Sequence, residues 1–486
     1  MICLGIDLGT SALKAALLDD DEPIAVAIRP LTVQRPQADW SEQDPEDWWS
    51  AFVACLDELR SREPAALSET RAIGLAGQMH GATLLGARGD VLRPCILWND
   101  GRSQAQCAEL ESRWPALRAV TGNPAMAGFT APKLLWVRQH EPTIFARTAR
   151  VLLPKAWLRW RLTGEAIEEM SDASGTLWLD VGARRWSADA LAACGMSVEQ
   201  MPRLVEGNAV AGQVGGEWVR RWGFARSPLV AGGAGDNAAG AVALGAVHAG
   251  DAFVSLGTSG VLWATTARFR PNPDHAVHAF CHALPETWHQ MGVVLSAAAS
   301  LAWWARVTGT DEATLLAEAE ATPPSSPCWF APYLSGERTP HNDTAVRAGF
   351  TGIDAGTGRA DMTRAVFEGL GYALRDAKDS LAAAGTLLAG AGADLIGGGA
   401  RSALWGQTLA DILDLPLHQV AHSDIGCALG AARLARMAAG EGQAVVGKPE
   451  RLRSFEPRAA EAARQAARHA QWRALYPALA ALPPPR

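Results

Sequence analysis

The residues of this chain that could do chemistry gather in four glycine-rich segments. The first is Asp7-Leu8-Gly9-Thr10-Ser11, followed by Lys14. Glycine permits a tight turn whose backbone N–H groups can face an anion, and the Thr and Ser hydroxyls add neutral donors. Lys14 would bring a cation to the same anion, and Asp7 suits a Mg²⁺ ion or its waters. The spacing is not that of a Walker P-loop. An ordinary hairpin explains one copy equally well. However, Leu8-Gly9-Thr10-Ser11 recurs as Leu256-Gly257-Thr258-Ser259, an offset of 248 residues (256 − 8), again between apolar runs. Two copies, one in each half, fit two loops that grip a polyphosphate from opposite sides. By the same offset Ser255 replaces Asp7 and Leu262 replaces Lys14, so one asymmetric site between the halves is expected.

The second segment, Gly232-Gly233-Ala234-Gly235-Asp236-Asn237, follows an apolar run and precedes a helical one. Asp236 fits two roles: helix N-cap, or a carboxylate that takes a proton from a substrate hydroxyl as its oxygen attacks phosphorus. Asn237 could bond a neighbouring hydroxyl. The third, Gly77-Gln78-Met79-His80-Gly81, ends a strand-like run, where α/β folds open ligand crevices. Met79 offers an apolar wall and His80 a hydrogen-bonding group, although a lone His is more often structural. The fourth, Gly397-Gly398-Gly399-Ala400-Arg401-Ser402, allows close backbone approach to a nucleotide but lacks the dinucleotide-binding spacing.

Elements that could position these segments are legible. Strand-like runs lie at 71–76, 151–153, 228–231 and 394–396, and helical patterns at 45–59, 134–140, 360–384 and 405–413. Such alternation indicates α/β layers. Asp44 and Pro45 mark a helix start, and Trp48 and Trp49 behind them read as packing residues. The junction at 240–250 reads as a small-residue helix, so a hinge there would be helical. A loop is expected at 322–327, and residues 456–479 read as helical before a Pro-Pro-Pro-Arg end. The expected domains are 1–245 and 246–486, the second with a helical tail from about residue 455.

Composition excludes other classes. The 486 residues carry 44 basic and 51 acidic side chains, net −7, which argues against a globally basic nucleic-acid surface. The eight cysteines form no Cys-x-x-Cys pair and suggest reduced thiols of a cytoplasmic protein. The first residues read as a strand rather than a secretion signal. No run of about 20 apolar residues suggests a membrane span.

Two longer patterns make the order of these segments familiar. Gly128-Phe129-Thr130-Ala131-Pro132-Lys133 through His140, and Ala348-Gly349-Phe350 through Glu368, resemble the two signatures of the FGGY carbohydrate kinases, within the actin/hexokinase-like ATPase superfamily. Segments 40–45, 77–83, 96–102, 235–240 and 333–340 are most similar to the bacterial branch of that family, which acts on D-xylulose. The resemblance implies two ribonuclease H-like α/β domains with a catalytic cleft between them. It implies ATP and Mg²⁺, with the sugar on the first half and the nucleotide on the second. Asp236 would be the catalytic base, and Asp7 a catalytic residue associated with the metal. Met79, His80, Asp236 and Asn237 would contact the ketose. Thr10, Ser11, Lys14, Thr258 and Ser259 would line the phosphates, and Gly398, Gly399 and Ala400 would border adenosine. Another ketose or a polyol remains open as substrate, and a monomer or homodimer as assembly. An actin-like chaperone would need a client-binding domain, and an idle sugar sensor would not need both carboxylates.

Overall fold

A computed structural model describes residues 1–322, 328–388, 392–421 and 425–482. Most of the loop expected at 322–327 and the Pro-Pro-Pro-Arg end lie outside these residues. Two mixed sheets organise the chain. The first runs Val210–Gln213, Leu229–Ala231, Ala72–Gly77, Ile2–Leu8, Ala12–Asp19, Glu22–Pro30, and the short strand Ala234–Gly235 pairs with Ala72–Gly77. The second runs His278–Cys281, Trp288–Val294, Gly260–Thr266, Ala252–Leu256, Ala393–Ile396, Leu417–Val420, Arg451–Phe455.

The sheets share a pattern outward from their hairpins, with His278–Cys281 added in the second and Ala234–Gly235 in the first. On one side of each hairpin lie two parallel strands and then an antiparallel edge; on the other lies one antiparallel strand in the first sheet and two in the second. The four repeated residues therefore mark a repeated architecture.

Helices cover both sheets. Pro45–Arg62 starts at Asp44, whose carboxylate accepts from the Glu46 N–H at 3.0 Å. It lays Trp48 and Phe52 on one face of the first sheet beside Trp157 of helix Pro154–Thr163. Burying a side chain such as Phe52 contributes about 2–3 kcal/mol. Trp48 and Trp49 are buried here, as packing residues. Helix Arg359–Ala383 packs with Ala403–Leu413 and Ala298–Thr308 on the second sheet.

Helix Gly426–Arg436 lies in sequence between two strands of the second sheet, Leu417–Val420 and Arg451–Phe455, but packs on the first. Small residues make this approach feasible: a Cβ on Gly5 would lie 1.9 Å from the Ala428 carbonyl oxygen, and one on Gly74 would lie 1.8 Å from that of Ala431. Gly430 meets the Ala239 carbonyl of helix Asp236–Ala243 equally closely. This pair of helices joins the two halves.

Three sequence expectations change. The junction helix ends at Ala243, because Gly245 turns into the left-handed region at φ +69°. The connection to the second sheet is thus a turn rather than a helix. The run at 151–153 belongs to strand Arg150–Leu152, which pairs with Thr83–Leu85 outside the main sheet. The C-terminal helix divides into Ala459–Trp472 and Leu475–Ala480.

Candidate active site

The two hairpins open onto one cleft of about 680 Å³. Asp7, Lys14, Asp236 and Asn237 line it from the first half, and Ser255, Val261, Ile396 and Cys427 from the second. Asp7 and Lys14 are direct partners across the first hairpin. In the second hairpin Ser255 faces Val261 rather than Leu262, because its turn is one residue shorter. The same two register positions of each hairpin therefore reach the cleft, charged in one and uncharged in the other. Burial raises the Asp7 carboxyl above its ordinary range, while Lys14 opposes the shift.

Asp236 is the first residue of its helix, and Gly235 is the N-cap. The capping reading of Asp236 is thus displaced by one residue. Its Oδ1 accepts from both the backbone N–H (2.7 Å) and the side-chain amide (2.9 Å) of Asn237. Oδ2 keeps its lone pairs free of any partner among the described residues. Burial pushes this carboxyl up to about 6, with Asp7 adding to the rise and the Asn237 bonds opposing it. A carboxylate with that affinity is ionised at neutral pH yet ready to accept a proton. Behind it, the Gly235 N–H donates to Glu169 Oε1 (3.1 Å) and Ser171 Oγ (3.0 Å).

Met79 packs against Gly235, the residue before this carboxylate, and His80 against Gly175; neither is among the residues that line the cleft itself. A Cβ on Gly235 would come within 2.9 Å of the Met79 side chain, and one on Gly175 within 2.5 Å of His80 Nδ1. His80 has φ +70°, uncommon for a residue with a side chain. Its carbonyl is held by Lys133 Nζ (2.8 Å) and Thr130 Oγ1 (3.1 Å). Both belong to the first signature segment. His80 Nδ1 is 2.7 Å from the Gly175 carbonyl, which only accepts, so Nδ1 carries the proton and Nε2 presents a lone pair. Burial pulls the imidazole down to about 3, keeping it neutral.

Residues 2–243 match the sequence profile of the FGGY family of carbohydrate kinases, N-terminal domain, and residues 252–439 match its C-terminal domain. The chain belongs to this FGGY family. It is 52% identical to a xylulose kinase of Escherichia coli over 439 residues, 90% of each chain. It is 36% identical to a xylulose kinase of Bacillus subtilis, over 90% of this chain and 88% of that one. A crystal structure described as a xyloylose kinase from Brucella ovis superposes with TM-score 0.96 at 48% identity, covering 99% of this chain and 100% of that one.

The remaining expected residues of this FGGY chain fall into two groups. The Thr10 hydroxyl donates to Gln78 Oε1 (3.1 Å) and accepts from Trp98 Nε1 (2.9 Å); the Ser259 hydroxyl donates to the Leu295 carbonyl (3.1 Å). Those two hydroxyls spend their protons within the protein. Ser11 and Thr258 are exposed, one on each turn. Thr258 also borders a separate depression beside Trp303 and Arg306. In the fourth segment Gly398 faces open space, whereas Gly399 and Ala400 are buried, Gly399 against Trp405. Ile396, just before them, is the residue of that region that lines the cleft.

Sequence reasoning missed the contribution of Ile425, Gly426 and Cys427, which close the cleft from the helix that crosses between halves. Cys427 Sγ donates to the Asp236 carbonyl at 3.3 Å. It also missed what Lys133 and Thr130 hold, although both sat inside a quoted motif.

Proposed function

We propose that this chain transfers the γ-phosphoryl group of ATP to the 5-hydroxyl of D-xylulose, giving D-xylulose 5-phosphate and ADP. The activity of the relatives supports the reaction class. The observation that carries the reading is the Asp236 carboxylate in the cleft, with Oδ1 engaged by Asn237, Oδ2 open, and Met79 packed against the adjoining Gly235. Asp236 Oδ2 takes the hydroxyl proton as the substrate oxygen forms its bond to phosphorus. The bond from phosphorus to the β,γ-bridging oxygen breaks, and ADP leaves with that electron pair. Such transfer demands positioning and charge stabilisation more than covalent chemistry.

Residues 1–245 supply the sugar side and 246–486 the nucleotide side. Ser11, Thr258 and the backbone of both turns face the phosphates, with Lys14 as cation and Thr10 and Ser259 bracing the turns. Gly398, Gly399 and Ala400 border the adenosine. The donor set fits Mg²⁺: Asp7 and Asp236 are two carboxylates in one cleft, and their repulsion is part of what raises Asp236. Asp7 would hold the ion, which when bound neutralises charge on the phosphate oxygens. The eight free cysteines suit a cytoplasmic setting.

A direct ADP-release assay across D-xylulose, D-ribulose, L-ribulose, L-xylulose, glycerol and xylitol tests the substrate. D-xylulose should have the highest kcat/KM; preference for another compound replaces it as substrate. Asp236→Asn should abolish turnover while D-xylulose binds within about an order of magnitude of wild type. Near-normal turnover would remove Asp236 from its role.

A further inference from the structure

Arg338 comes from the second half yet joins the ring cluster that surrounds His80. Its Nη1 lies 3.2 Å from His278 Nε2, and His278 Nδ1 lies 2.8 Å from Asn123 Oδ1. The direction of this chain of bonds is determined. Asn123 Nδ2 donates to the carbonyls of Thr121 (2.9 Å) and Ala279 (3.2 Å), so its Oδ1 is the acceptor. His278 Nδ1 therefore carries the proton, and Nε2 accepts from Arg338. His278 packs against Phe129 at 5.8 Å, and Phe129 packs edge-on against His80 at 4.6 Å. Asn123 in the first half thus fixes Arg338 of the second beside the His80 cluster.

The guanidinium is largely enclosed and makes no ion pair among the described residues. The neighbouring Glu337 commits its Oε1 to the backbone N–H groups of Leu295 (2.9 Å) and Arg338 (2.7 Å) and acts on the guanidinium only through space. One bond to a neutral imidazole leaves most of the fork of N–H donors uncommitted. A largely enclosed cation with no ion-pair partner in contact is costly to keep unless a ligand uses it.

The two groups are complementary in kind. His80 Nε2 can only accept, so it calls for a hydroxyl. Lys133, the other buried basic group nearby, which burial brings down to about 7, donates to the His80 and Gly128 carbonyls instead. Arg338 is then the charged donor left for an oxygen that can only accept. A linear ketose has one such oxygen, its carbonyl, and a polyol has none. We propose that Arg338 is a specificity-determining residue that donates to the ketose carbonyl and so selects ketoses over polyols. The inference rests on the ketose kinase reading above.

The test compares wild type with Arg338→Gln and Arg338→Lys. Calorimetry gives Kd for D-xylulose and for xylitol, steady-state kinetics gives KM for ATP, and thermal melting monitors folding. Loss of a charged hydrogen bond should weaken D-xylulose binding by about 10- to 100-fold in Arg338→Gln. Xylitol binding and KM for ATP should move less than about threefold. Arg338→Lys should recover part of the D-xylulose loss, because it keeps a charged donor. Equal losses for both ligands, or unchanged D-xylulose binding, overturn the proposal. Failure of wild type itself to phosphorylate any ketose overturns the underlying reading instead, so the two failures are distinct.

Discussion

Asp236→Asn should stabilise the protein while it destroys turnover. In the folded chain the Asp236 carboxyl is pushed up to about 6 from an ordinary 3.8. For an acid, a raised folded value favours the folded state below the unfolded pKa. That advantage is lost as pH rises, and above about pH 6 the ionised group is a net cost. Two pKa units correspond to at most about 3 kcal/mol at pH 7.5. Asparagine has nearly the same shape, and its oxygen can keep both bonds from Asn237, so the charge is what the substitution removes. With an unfolding entropy of about 2.1 cal/mol/K per residue, cooperative unfolding of the whole chain converts 3 kcal/mol into a Tm rise of about 3 °C. The 19 tryptophans supply the signal for melts at pH 7.5 and pH 4. The gain should be present at the higher pH and nearly absent at the lower, because little separates the protonated carboxyl from the amide. A gain independent of pH, or none at pH 7.5, would refute the claim that burial of charge sets the affinity of this base.

Other outcomes follow from the same geometry. The kcat/KM of wild type should fall about tenfold per pH unit below about 6. Asp7→Asn should move that limb downward by less than about one pH unit, since burial is the larger cause; an unmoved limb in a pH series would show that the two carboxylates do not interact. His80→Ala should raise KM for the ketose by about tenfold and KM for ATP by less than about twofold; initial-rate kinetics with an unchanged ketose KM would move the sugar site elsewhere. Gly74→Ala should cost about 3 kcal/mol or more, because its Cβ would sit 1.8 Å from the Ala431 carbonyl oxygen; a near-normal Tm would mean that the crossing helix can retreat without penalty.

Much of this site could be read before any fold was known, and the reason is local. Each turn falls on the same Leu-Gly-Thr-Ser letters, so the two hairpins announce themselves in four identical residues, although neither Gly9 nor Gly257 takes a positive φ. Asp236 stands out because glycines precede it where a strand gives way to a helix. What could not be read depends on register and on contacts between distant segments. The partner of Ser255 is Val261 because the second turn is shorter, and no offset count reveals a turn length. Lys133 reaches His80 across 53 residues of sequence, and its target is a backbone carbonyl without a side-chain signature. The Arg338 relay likewise depends on Asn123, His278 and Arg338 meeting between halves. The crossing helix escaped notice because its small residues describe a close contact without naming the surface contacted.

That helix also sets an order of events during synthesis. The face of the first sheet that carries Cys3, Ala16, Leu18, Ala72 and Ala231 is covered by Ile425, Ala428, Leu429, Ala432 and Ala435. A ribosome that has finished Ala243 must still add 193 residues (436 − 243) before the cover is complete. At about 5–20 residues per second, the face stays bare for roughly 10–40 s on each nascent chain. The alanines and glycines that let the helix dock so closely also offer little apolar area to a passing chain. The same small side chains that bind the halves in the finished protein therefore protect the unfinished one.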